Sequence, residues 1–66
     1  MILIKLWYYR NINKVTLVKL SKMTGISKSS LSRIENMIKS PTLEQLEKIA
    51  KALDVQITDL YKQIDD

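Results

Sequence analysis

The 66 residues contain no cysteine and no histidine, and glycine and proline occur once each, as Gly25 and Pro41. Without cysteine no disulfide can staple the fold. Without histidine a zinc site would need carboxylates alone, so no metal and no cofactor are expected. The missing thiols also fit a reducing cytosol. One glycine and one proline leave few chain breaks, and few strand-length alternations follow residue 10, which together favour an all-α domain. No segment offers the ~20 apolar residues of a membrane span. The apolar opening from Met1 to Tyr9 has neither a basic region ahead of it nor a small-residue cleavage site, so it does not read as a signal peptide. Repeats, low-complexity tracts and flexible linkers are also absent.

What remains is one small domain, residues 1–66, whose length buries only about 60% of the unfolded surface. Stability must come from apolar packing, helped by a partner subunit if one is present. Charge is divided along the chain. Residues 1–40 carry eight Lys or Arg against one acid, Glu35, whereas residues 41–66 carry three Lys against six acids. A basic first half suits an anionic partner, although an ordinary solvated lysine surface would look the same by charge alone.

Helix starts are marked by side chains that can cap. Thr16 precedes a short apolar-periodic run, Ser27 follows Gly25 and opens a helix from Lys28 to about Asn36, and Thr42-Leu-Glu-Gln45 is a capping box. Behind that box Leu43, Leu46, Ile49, Ala50 and Leu53 keep helical spacing, predicting an amphipathic helix over 43–53. Thr58 is expected to cap a last short helix carrying Leu60, Tyr61 and Ile64. The N-terminal segment is apolar nearly all round; its β-branched and aromatic content would suit a strand, but it is read as helix from Ile4 to Asn11.

The helix after Ser27 carries the functional signal. On a wheel of 100° per residue, Lys28, Ser29, Ser32, Arg33 and Asn36 share an arc of roughly 140°, with Leu31 and Ile34 on the opposite side. The outer stripe is small or donor-rich and contains no acid. Lys28 and Arg33 can donate to guanine O6 and N7 or to phosphates. Such a stripe alone also describes a solvated helix face. The preceding helix separates the two: Ser21 is small enough for close approach, Gly25 suits a tight turn, and Leu20, Ile26, Leu31 and Ile34 can fill the wedge of a steep bihelical unit that projects its second helix outward.

The run LSKMTGISKSSLSRIEN from Leu20 to Asn36 resembles the helix-turn-helix of the phage repressor and Cro family, also called the XRE family. Pro41, the apolar spacing from Leu43 to Val55, and Tyr9-Arg10 extend the resemblance over residues 6 to 61. It implies five helices and sequence-specific binding of double-stranded DNA, as a homodimer on a roughly palindromic operator. The role would be that of a transcriptional regulator, read as a repressor, in the cytoplasm of a bacterium or in a phage system, on nucleoid DNA. The family's base-reading positions fall on Lys28, Ser29 and Arg33, with Ser32 nearby. Its phosphate-contacting positions fall on Thr16, Ser27, Asn36, Lys39 and Ser40. It also implies an ion pair between Arg10 and Glu35, which the wheel turns away from the reading stripe.

Two positions depart from the family's pattern. Leu17 stands where many members have a glutamine that contacts a phosphate, and leucine cannot make that bond. It is left to touch a thymine methyl or to pack. Met37 stands where the family usually has a glycine after the third helix. A left-handed conformation is costly for methionine, so the helix is expected to run on or to end differently. Candidate dimer surfaces are Trp7 and Tyr8 on the first helix, or Leu60, Tyr61 and Ile64 near the C-terminus. An alternative to DNA reading is a protein-interaction or antitoxin-like module on the same fold, with a protein antagonist as partner. No nucleophile, general base and pocket can be assembled, so an enzyme is not expected.

Overall fold

The computed structural model describes residues 1–65. In chain order they form β1 (Ile2–Ile4), α1 (Leu6–Ile12), α2 (Leu17–Thr24), α3 (Lys28–Glu35), α4 (Leu43–Leu53), a 3₁₀ turn (Ile57–Asp59) and β2 (Tyr61–Gln63). Three helices begin where a hydroxyl can cap them. Thr16, Ser27 and Thr42 lie in extended backbone and accept the N–H groups of Lys19, Ser30 and Gln45 at 3.1, 3.1 and 3.0 Å. Gln45 closes the box by accepting the Thr42 N–H at 3.0 Å. These bonds satisfy donors that a helix start otherwise leaves open.

The helix ends are less conventional. Gly25 takes φ 76, but Lys14, Met37 and Asp54 also lie in the left-handed region, at φ 54, 64 and 57. Met37 corrects the expectation drawn from its side chain: the third helix stops there as though a glycine were present. Ile38 N–H donates to the Arg33 carbonyl at 2.8 Å and Met37 N–H to the Ile34 carbonyl at 3.2 Å, the paired bonds of a Schellman end. The methionine side chain is also used, because the Ile4 N–H donates to its Sδ at 3.4 Å. These contacts offset the cost of the left-handed backbone.

Both chain ends correct the five-helix expectation. The segment expected as helix from Ile4 to Asn11 begins instead as β1, and α1 starts only at Leu6. β1 pairs antiparallel with β2, setting Ile2 opposite Gln63, Leu3 opposite Lys62 and Ile4 opposite Tyr61. Thr58 does not cap a final helix. The turn opens earlier, with Gln56 N–H donating to Asp59 Oδ2 at 2.9 Å, and the chain then extends into β2. The fold of the described residues is therefore four helices with a two-stranded sheet.

The core lies between α1, α2, α3 and α4. Leu6, Leu20, Leu31, Ile34, Ile49 and Leu60 are fully buried, and each contributes about 1.5–3 kcal/mol by leaving water. Leu60 closes the core beneath the sheet, so it is not the partner-facing residue that its sequence position suggested. No helix among the described residues is long and apolar enough to cross a membrane.

Candidate nucleic-acid interface

The α2–turn–α3 unit is fixed by side chains of α2 that hold both backbone groups of one residue. Ser21 Oγ donates to the Ile26 carbonyl at 2.6 Å, and the Ile26 N–H donates to Thr24 Oγ1 at 3.2 Å. Thr24 is buried and completes its bonding by donating to the Leu20 carbonyl at 2.8 Å. Gly25 supplies the left-handed turn between them, and Leu20, Ile26, Leu31 and Ile34 are all buried in the wedge. The sequence marked Ser21 only as small, and it did not single out Thr24. Its signal would have been a hydroxyl one residue before the turn glycine, in reach of the N–H two residues on.

With Leu31 and Ile34 turned inward, α3 presents the opposite stripe. Lys28, Ser29, Arg33 and Asn36 are exposed and Ser32 is half-buried. The Asn36 amide folds back on its own helix, donating from Nδ2 to the Ser32 carbonyl at 2.8 Å. The same nitrogen also donates to Ser32 Oγ at 3.4 Å, so among the described residues only the side-chain carbonyl oxygen of Asn36 is without a partner. Ser27 Oγ, besides capping, donates to Ser30 Oγ at 3.0 Å, so its hydroxyl proton is already engaged. Thr16 Oγ1 accepts the Lys19 N–H and keeps its own proton for another acceptor. Lys39 and Ser40 are exposed in the loop between α3 and α4. Leu17 is half-buried against the core, so it packs, while the N–H groups of the first turn of α2 ahead of Lys19 have no partner within the helix.

The field of this surface is positive. Lys19, Lys22, Lys28, Arg33 and Lys39 are exposed, and among the described residues none is in an ion pair. The one acid of the region, Glu35, is neutralised from behind by Arg10 at 2.7 Å, with side-chain exposures of 16% for Arg10 and 7% for Glu35. The structure thus gives α3 an acid-free polar stripe, with further exposed cations on α2 and in the loop after α3. Of the candidate dimer residues, Trp7 and Tyr8 are exposed on α1, Ile64 lies at the edge, and Tyr61 is half-buried.

Comparison with known proteins agrees with this geometry. Residues 8–60 match the model of a family described as helix-turn-helix. An uncharacterized HTH-type transcriptional regulator of Methanocaldococcus jannaschii is 37% identical over 62 residues, covering 94% of each chain. A chain in the structure of a SinR protein/SinI protein complex superposes with a TM-score of 0.79 at 32% identity. That match covers 83% of this chain but 54% of the other, so this chain spans about half the length of that structural relative.

Proposed function

This chain belongs to the helix-turn-helix family of the phage repressor and Cro type, a family of non-enzymatic DNA-binding transcriptional regulators, and from that premise we propose that it acts as a homodimeric repressor on a roughly palindromic operator. The observation that carries the reading is the outward stripe of α3, five polar residues without an acid, projected by a turn whose geometry is fixed on both sides of Ile26. Lys28, Ser29, Ser32 and Arg33 read base edges in the major groove. Thr16, Ser27 (through its backbone N–H, or with its hydroxyl turned from Ser30), Asn36, Lys39 and Ser40 fix register through phosphates.

The test is selection of bound sequences from random duplex DNA, followed by salt titration on the selected site. A site with two inverted half-sites about 34 Å apart is expected, with affinity falling steeply as salt rises. Affinity that ignores salt, or that survives loss of both Lys28 and Arg33 side chains, would refute the reading. A protein antagonist is a second proposal, supported by the structural relative having been solved in complex with SinI protein. Titration of an operator complex with a stoichiometric partner that releases the DNA is its test.

A further inference from the structure

The sheet has an open edge, and that edge lies along a groove. Alternate residues of β1 bond to β2. Ile64 N–H donates to the Met1 carbonyl at 2.8 Å and Lys5 N–H to the Leu60 carbonyl at 2.7 Å, so by the register Leu3 and Lys62 form the bonded pair between them. Ile2 and Ile4 therefore turn their N–H and carbonyl groups away from β2. On that outer edge the Ile4 N–H meets the Met37 Sδ at 3.4 Å, a weak acceptor. Among the described residues the backbone groups of Ile2 have no partner.

Beside this edge is an open, mostly apolar groove of about 300 Å³, lined by Ile2, Ile4, Met37, Pro41, Leu43 and Tyr61. Leu43, the first residue of α4, is 76% exposed there. Lys39 and Ser40 supply the polar rim. The neighbouring acid, Glu44, is paired with Lys48 at 3.5 Å, which leaves the charge of Lys39 uncompensated. Every buried side-chain nitrogen and oxygen among the described residues already has a partner, so the free polar groups here are those of the strand backbone.

We propose that this groove takes an extended peptide segment of a partner protein, added as a third strand along β1, apolar at every second residue and acidic where it passes Lys39. The proposal rests on the antagonist reading above and names its surface and the partner's chemistry. An open edge with donors and acceptors two residues apart is matched by another extended backbone; a helix has spent those groups on itself. Side chains of a strand alternate between faces, so every second residue of the added strand lies over Pro41 and Leu43 while the others meet solvent. Proline is excluded where an N–H must reach β1. A carboxylate supplies the charge that Lys39 lacks. Lys39 and Ser40 also belong to the phosphate set proposed above, so an acidic strand in the groove competes with DNA without touching the outward stripe of α3.

Selection of short random peptides on the full chain, followed by binding in solution, tests the surface. Enriched peptides are expected to alternate apolar and polar residues, to carry an acid towards one end and to lack proline. Bound peptide should slow hydrogen exchange of the Ile2 N–H and shift the amide signals of residues 37–43, leaving those of Trp7 and Tyr8 unmoved. N-methylation of a peptide amide that faces β1 should weaken binding roughly tenfold, and of the next amide not at all. Lys39→Ala should cost roughly two- to fivefold with the acidic peptide and nothing when the peptide's acid is replaced by its amide. Peptides that bind as helices, that settle on Trp7 and Tyr8, or that tolerate N-methylation at every position overturn the proposal. So does a library that yields no peptide, or a β1 edge closed by a second copy of the chain. Release of a selected duplex by the peptide supports both the surface and the antagonist reading. A peptide that pairs with β1 while the duplex stays bound keeps the surface and removes the antagonist reading. A partner that releases DNA with Ile2 exchange unchanged keeps the antagonist reading and overturns the surface.

Discussion

Arg10 reaches from α1 to α3 and donates twice to a single oxygen of Glu35, from Nε at 3.1 Å and from Nη2 at 2.7 Å. Its Nη1 donates to the Val15 carbonyl at 3.0 Å, so one guanidinium ties α1, the loop before α2 and the back of the reading helix. Because both side chains are largely buried, removing one strands the other. Arg10→Leu or Glu35→Leu alone should cost about 3 kcal/mol. The double variant should cost less than the two single changes added together. Thermal melts of the four proteins measure this, and simple additivity would mean that the pair contributes nothing.

The legible parts of this fold are those whose cause is local. Thr16, Ser27 and Thr42 announce helix starts because a cap spans only three residues, and the 43–53 helix is visible because one face repeats within a turn. The reading stripe from Lys28 to Asn36 follows from the same periodicity. The ends were not legible for a physical reason: β1 is a strand because residues 61–63 lie beside it, at the other end of the chain. A helical wheel over Ile2 to Tyr9 contains no trace of that partner. Gln56 was passed over in favour of Thr58 because the bond that opens the turn comes from the Asp59 carboxylate, not from the residue at the start. Leu60 looked like a surface residue of a helix that does not exist.

Lys14 and Met37 both end helices with positive φ, yet glycine should help only one of them. Lys14 is exposed and makes no side-chain bond among the described residues, so Lys14→Gly relieves left-handed strain and should stabilise the domain by about 1 kcal/mol. In a domain this small that is a rise of roughly 4–8 °C in melting temperature. Met37→Gly gains the same relief but loses the Sδ acceptor for Ile4 N–H and the side chain beside β1, so no net rise is expected. Equal gains at both sites would show that the Met37 side chain contributes little.

Arg33 and Lys39 are both exposed cations, but their places predict different losses. Arg33 lies on the outward stripe of α3, and Arg33→Ala should cost about 1–3 kcal/mol on the selected site and relax the preference at one base pair. Lys39 sits in the loop beyond the helix, and Lys39→Ala should weaken all duplexes alike and reduce the salt slope by about one. Binding to matched and single-mismatch duplexes at several salt concentrations separates the two. An Arg33 variant that weakens every sequence evenly would move that residue to the phosphate set.

Thr24 makes a last prediction that runs against side-chain hydrophobicity. It is buried at the end of α2, where valine would match its shape and be more apolar. Its hydroxyl, however, is the only partner found for the Ile26 N–H among the described residues, while Ser21 holds the Ile26 carbonyl. Thr24→Val leaves that N–H unpaired in the wedge and should cost about 1–3 kcal/mol. Thr24→Ser keeps the hydroxyl, gives up one methyl worth about 0.8 kcal/mol, and should cost less. The bond also sets the angle at which α3 leaves α2, so the valine variant should lose DNA affinity even at temperatures where it remains folded. A valine protein that melts higher and binds DNA unchanged would show that the wedge is held by packing of Leu20, Ile26, Leu31 and Ile34 alone.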